Sequence, residues 1–238
     1  MPTYSNSYDF SPTLSRLVIA AFSRIGIRRT AIAVEHMSDA GFESNLLLCQ
    51  WASLQPNLWL SELKTEVLTE DVATYALDPE VVAIQLAYIS TTTGSQVTDR
   101  PLGPMSTVEY AAQPNKLTTG FPTSYWFNRQ ITPQITMWPV PDGNFTYTLK
   151  LRCVRQAQDA LMPNGLNVEI PYRFNTAFVD GLADRLGAVY PEAAKGALGP
   201  TFSDILAARA MKSWDIAASQ DTELVPMYIS PMMGGYTR

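Results

Sequence analysis

One histidine in 238 residues, two cysteines and a thin share of charge narrow what this chain can do. His36 stands beside Glu35, with no second histidine to share a metal and no cysteine near it in sequence, which speaks against a zinc site. A Ser-His-Asp arrangement would have to use that one imidazole, and nothing around it supports the chemistry. There is no Gly-rich phosphate loop, no GxSxG elbow and no HExxH pair. Cys49 falls in an apolar helical run and Cys153 in a strand, so both read as buried thiols serving as small hydrophobes. No disulfide framework is implied, which fits synthesis in a reducing compartment. Charged residues make up 16% of the chain, against roughly 25% in an ordinary soluble domain. A surface short of charge suits one that neighbours cover. The net charge of -5 and the lack of a basic stripe exclude a phosphate-gripping nucleic-acid binder. No run approaches the roughly 18 apolar residues of a membrane span. Met1 to Phe10 is polar and aromatic, and is expected not to be a secretory signal.

What is there is ample material for a core: 46% of the chain is hydrophobic. Ser11-Pro12 reads as a helix start, and Leu14, Leu17, Val18, Ala21, Phe22 and Ile25 follow as one apolar stripe closed by Gly26. Arg24, Arg28 and Arg29 crowd that helix end, where they complement its dipole or touch an acidic partner or DNA; the dipole reading is favoured. A second helix is expected from Ser38 to Leu54, with Leu46 and Cys49 widening its apolar face until it is covered on more than one side, and Pro56 ending it. From Leu58 to Ala157 the texture changes to short alternating strands and turns, the pattern of a small antiparallel sandwich or barrel-like sheet. Ser106 to Ala111 reads as a single helical turn within it. Helices return near Pro171: a stripe of Phe174, Phe178, Leu182, Leu186 and Val189 stopped by Pro191, then an Ala-rich helix from Thr201 to Ser219 carrying Phe202, Ile205, Leu206 and Trp214. The last stretch has Pro226, Pro231, Gly234 and Gly235, so it is no helix, yet it is rich in adhesive side chains: Val225, Met227, Tyr228, Ile229, Met232, Met233 and Tyr236. Solvated tails are polar as a rule, so this one reads as lying on a partner.

The expected fold is therefore α+β: a four-helix bundle, residues 11–56 and 170–220, with a β domain, residues 57–160, inserted between helices two and three, and a docking tail, residues 221–238. Asp180 and Asp184 lie four apart on the third helix, and paired carboxylates can do acid-base work. Arg185 beside them and the apolar stripe opposite favour a solvated or interface face. Tyr125, Trp126, Phe127, Met137 and Trp138 could stack on sugars or bases. With Arg129 nearly alone among them, core or interface packing is favoured. No catalytic, cofactor-binding or metal residue is assigned, and the chain reads as a structural subunit rather than an enzyme.

An ordered series of residues then resembles a known family. It comprises Arg24-Ile25-Gly26 and the Leu-rich helix through Trp51 to Asn57-Leu58-Trp59. Tyr75-Ala76-Leu77-Asp78-Pro79-Glu80-Val81-Val82 follows, though proline would directly follow leucine in the family pattern. It continues with Glu109-Tyr110, Pro114-Asn115-Lys116, Gly120-Phe121-Pro122-Thr123 and Asn128-Arg129-Gln130. It closes with Trp138-Pro139-Val140-Pro141, Gln158-Asp159, Ile170-Pro171-Tyr172-Arg173-Phe174 and Gly181-Leu182-Ala183. This resembles the head-to-tail adaptor (connector) proteins of tailed bacteriophages, above all short-tailed ones. The resemblance implies a virion neck protein, made in the host bacterial cytoplasm, that forms a ring, expected to be a dodecamer, beneath the portal. It implies a portal protein and a tail nozzle or fibre protein as partners, and genomic DNA passing through without sequence-specific binding. On that reading Phe174, Phe178, Asp180, Asp184 and Trp214 serve ring packing, the tail residues hold the portal, and the three arginines face the channel or portal. No cofactor and no membrane enter it. A stopper or tail-completion protein of the neck, or a cytosolic enzyme or carbohydrate-binding module using the aromatic cluster, stay open as alternatives.

Overall fold

The computed structural model describes residues 10–54, 57–93, 96–160, 166–198 and 201–222. The chain is α+β. Helices α1 (Leu14–Arg24) and α2 (Val34–Leu54) lead into strands β1 (Ser61–Val67), β2 (Thr74–Ala76), β3 (Val81–Thr93), β4 (Gln96–Pro101) and β5 (Gly103–Met105). A short helix α3 (Thr107–Ala112) precedes β6 (Thr119–Gly120), β7 (Ser124–Asn128), β8 (Gln134–Trp138), β9 (Val140–Pro141) and β10 (Tyr147–Arg155). Helices α4 (Asn175–Val189), α5 (Pro191–Leu198) and α6 (Phe202–Ser219) complete the described chain.

The stripe read from the sequence is the buried face of α1: Leu14, Leu17, Val18, Ala21 and Phe22. The helix starts later than Ser11-Pro12 suggested. Thr13 is its cap residue, and Ser11 Oγ instead accepts a hydrogen bond from Asn167 Nδ2 at 2.9 Å. The end is as expected: Gly26 has φ 88°, its N–H bonds Ser23 O, and the Ile27 N–H reaches back to Phe22 O at 3.0 Å. That double closure, with Ile27 buried against the same core as Phe22, satisfies the last carbonyls of the helix. α2 begins at Val34, four residues before the expected Ser38. There the Ala33 N–H donates to His36 Nδ1 at 3.1 Å, and the imidazole stacks on Tyr190 at 4.9 Å.

α4 is the hub of the helical part. α1, α2, α5 and α6 all pack on it, and its buried residues run all the way round, from Ala177 to Gly187. A helix covered on every side cannot show a clean stripe. Of the residues expected in one, Phe178, Leu182 and Leu186 are fully buried; Phe174 belongs to a 3-10 turn before the helix, and Val189 is exposed. Pro191 does stop α4, but it also opens α5, since proline is tolerated at a first helical position.

The strands form a sheet ordered β1-β10-β3-β4 and a second ordered β2-β8-β7-β5. β10 alternates as its sequence suggests, with Tyr147, Leu149, Leu151 and Cys153 turned inward. Leu149 sits opposite Ile89 and Leu151 opposite Ala87 on β3. These residues share a core with Tyr125, Ile135 and Met137 of the second sheet. The expected purely antiparallel pairing fails in two places, where β5 runs parallel to β7 and β6 parallel to β9. The segment carrying α3 supplies the crossover that a parallel β5–β7 pair requires. α3 itself is set by a reciprocal cap: Glu109 N–H donates to Ser106 Oγ and the Ser106 N–H to Glu109 Oε2. On edge strand β1 the core-side positions hold Glu62, Lys64 and Glu66, and Lys64 binds Asp78 and Glu80. Charges facing inward on an edge discourage another strand from pairing there.

Candidate functional site

α2 and α6 leave a great deal uncovered. On α2 the uncharged positions Val34, Ser38, Phe42, Leu46, Cys49 and Ser53 follow one another down an exposed face that Glu35 and Asp39 flank at its start; Phe42 is 65% exposed and Val34 86%. The expectation that this helix is covered on more than one side does not hold within one chain, because Leu46 and Cys49 are both exposed. The Cys49 reading is thereby corrected: only Cys153 is a buried thiol, and burial raises it to about 11, which keeps it protonated and inert at neutral pH. α6 buries only Leu206 and Ala217 along its 18 residues, while Ile205, Met211 and Ile216 face out.

Between the two helices, over α4, lies a groove with a volume of about 520 Å³. Leu47, Trp51 and Leu54 form one wall, and Ala207, Met211 and Trp214 the other. Ala177 and Gly181 of α4 make the floor. A side chain at Gly181 would start only 3.0 Å from Leu47 Cδ1, so the small residue is what lets α2 approach α4. Trp51 and Trp214 meet at the base of the groove with ring centres 4.8 Å apart. Asp184 lies at the rim with no ion pair among the described residues, and burial raises its carboxyl above the ordinary value against the pull of Arg185. Arg185 itself is directed to Glu43 at 3.1 Å and Gln50 at 2.8 Å.

The residues singled out in the sequence part company here. Phe174 and Phe178 are fully buried in their own chain, packed on Trp51. Asp184 and Trp214 do reach the groove. Asp180 is neither solvated nor at a surface: its carboxylate is 5% exposed and pairs with Arg24. Arg24 does sit in the last turn of α1, as the dipole reading has it, and it is also engaged across the α1–α4 packing. Arg28 and Arg29 are exposed, and no ion pair involves them among the described residues. Val225, Met227, Tyr228, Ile229, Met232, Met233 and Tyr236 lie outside the described residues.

The aromatic cluster is largely committed. Tyr125 and Met137 are core residues. Trp126 stacks on Tyr110 at 4.9 Å and donates to Thr107 Oγ1, and the Trp138 Nε1–H donates to Asn115 O. The exposed apolar groups of the β part are dispersed: Leu63, Val67, Leu86 and Val97 on strands, and Val108, Leu117 and Ile131 outside them, the last 96% exposed. The sequence reading missed the anchor at the end of α6. Asp221, its side chain 1% exposed, accepts from Arg173 Nη2 at 2.5 Å and from the Leu58 N–H at 3.1 Å. A lone aspartate after a helix carries no signal of partners 48 and 163 positions away.

A family model described as SU10 adaptor protein matches residues 28–222. No curated protein matches the chain.

Proposed function

Because this chain belongs to the SU10 adaptor protein family, a family of tailed-phage adaptors, we propose that it is a structural component of the virion neck that forms a ring beneath the portal, extends the DNA channel and carries the tail. The observation that carries the reading is the match across 28–222, which takes in the β part together with every helix from α2 to α6. The exposed apolar residues of α2 and α6, Val34, Phe42, Leu46, Ile205, Met211 and Ile216, support a subunit that packs sideways against copies of itself: that much apolar surface is a liability on a monomer and an asset in an assembly. On this reading the helices of 11–56 and 170–220 build the ring, as five helices rather than the expected four because Pro191 opens α5. The β part, 57–160, is an inserted platform whose tips at Val108, Leu117 and Ile131 meet the tail nozzle or fibre. The tail, 221–238, holds the portal. Asp184 and Trp214 lie where a neighbour reaches them, Phe174 and Phe178 hold that face from within, and Arg28 and Arg29 are left for the channel or the portal. The net charge of -5 suits a passage that repels DNA rather than binds it.

Purified portal mixed with this protein is expected to give a stoichiometric ring complex by native mass measurement, and deleting Leu224 to Arg238 is expected to weaken it. A protein that stays monomeric with portal present would sink the reading. An unchanged complex after the deletion would sink its tail component alone.

A further inference from the structure

The apolar groove between α2 and α6 opens where the described chain ends. α6 runs only about 6 Å beyond Asp215 to Ser219. Asp221 is then fixed by Arg173 and Leu58, the latter four residues past Leu54 of the groove wall. Arg173 precedes Phe174, whose ring touches Trp51 at 5.7 Å and Trp214 at 5.6 Å. Two buried polar atoms at this anchor, Asn57 Oδ1 and Arg173 Nε, have no hydrogen-bond partner among the described residues. They leave one acceptor and one donor where the chain continues.

We propose that in the free protein Met227-Tyr228-Ile229 of the same chain packs into this groove, which is thus a resting site that the tail leaves when it docks elsewhere. The inference rests on the reading of the tail as a docking element and adds a regulation to it. Residues 222–226 span at most about 17 Å, which bridges the anchor and the groove with chain left for the reversal. Pro226 bars the segment from continuing as helix, so it enters extended. Apolar side chains then meet Leu54, Met211 and the two indoles over a floor of Ala177 and Gly181. A tether this short gives an effective concentration in the mM range. At micromolar protein the chain's own groove therefore outcompetes that of another copy.

Two measurements test this without portal. In a Cys49→Ser background, which removes the exposed thiol, Leu54→Cys with Met227→Cys is expected to give a crosslinked monomer under mild oxidation of micromolar full-length protein. Absence of the crosslink, or crosslinked dimers in its place, overturns the proposal. Met211→Glu puts a charge on a residue already 69% exposed, so the fold tolerates it. Amide exchange at Val225, Met227, Tyr228 and Ile229 is expected to accelerate at least tenfold; unchanged exchange overturns the proposal. The portal experiment above stays separate: a tail that is protected in the groove but dispensable for portal binding leaves this inference standing and removes the docking role.

Discussion

The helical and the β parts of this molecule each have a core of their own, and they differ in what they leave outside it. The helices centre on α4 and turn whole stripes of α2 and α6 to solvent. The sheets fill the space between them and leave dispersed residues outside, Val108, Leu117 and Ile131 and, on the strands, Leu63 and Leu86 with Arg152 between them. A continuous face specifies a rigid neighbour over a large area, whereas apolar residues scattered among polar ones specify point contacts. The polar groups divide in the same way. The helical part buries Asp180 against Arg24, while the β part spreads Lys64 over Glu62, Asp78 and Glu80, all partly exposed.

The sharpest way to break the comparison is to remove one core at a time. Phe178→Ala is expected to cost about 3–5 kcal/mol and to strip amide protection from α1, α4 and α6 while β10 keeps its own. Parallel loss in β10, read by native-state hydrogen exchange, would merge the two parts into one cooperative unit. Next in size, Arg24→Ala leaves Asp180 buried and unpaired and is expected to cost about 3 kcal/mol in urea unfolding. Lys64→Ala, in its more open network, is expected to cost less than about 1 kcal/mol. Equal costs would erase the distinction.

The carboxylates sharpen the contrast with opposite signs. The Arg155 hydrogen bond, helped by the Gln158 N–H, holds Glu169 below the ordinary carboxylate value. A depressed folded-state value means stability that is present above the unfolded value and lost as pH falls through the folded one. Glu169→Gln is therefore expected to lower the melting temperature at neutral pH and to make no difference once the carboxylate is protonated in both states. Asp184, raised by burial, behaves in reverse: its ionisation penalises the folded state as pH rises. Asp184→Asn is expected to raise the melting temperature at neutral pH and to change nothing in acid. Smallest of all for stability are Phe42→Glu and Ile131→Glu, each expected within about 0.5 kcal/mol of the parent. Light scattering should separate them: Phe42→Glu is expected to abolish self-association, Ile131→Glu to leave it intact.

Periodicity carried the helical part a long way. The buried face of α1, the Gly26 stop and the return of helices after the strands were all legible, because each rests on local chemistry. Pro191 was legible as a stop but not as a start, since one proline does both jobs and only the described structure separates them. The span of strands was readable from alternation in β10, but not the parallel pairing of β5 with β7, which depends on a crossover rather than on any strand's own residues. The site was the least legible. Arg24 and Asp180 are 156 positions apart, and the groove exists only because three helices bring Trp51, Gly181 and Trp214 to one place. Exposure of Cys49 and Leu46 was misread because an apolar run looks alike whether its cover is its own chain or another.

The Asp221 anchor has a mechanical side. α6 packs on α4 through Leu206, Trp214 and Ala217, and of these only Ala217 lies in its last turn, so a load applied there would start to peel the helix from its end. Arg173 and the Leu58 N–H instead tie Asp221 to the corner where the helices give way to the first strand. Tension on whatever follows Thr222 thus reaches α4 and β1 together and loads them in shear. A segment rooted this way can be pulled hard from outside without unravelling the helix that carries it.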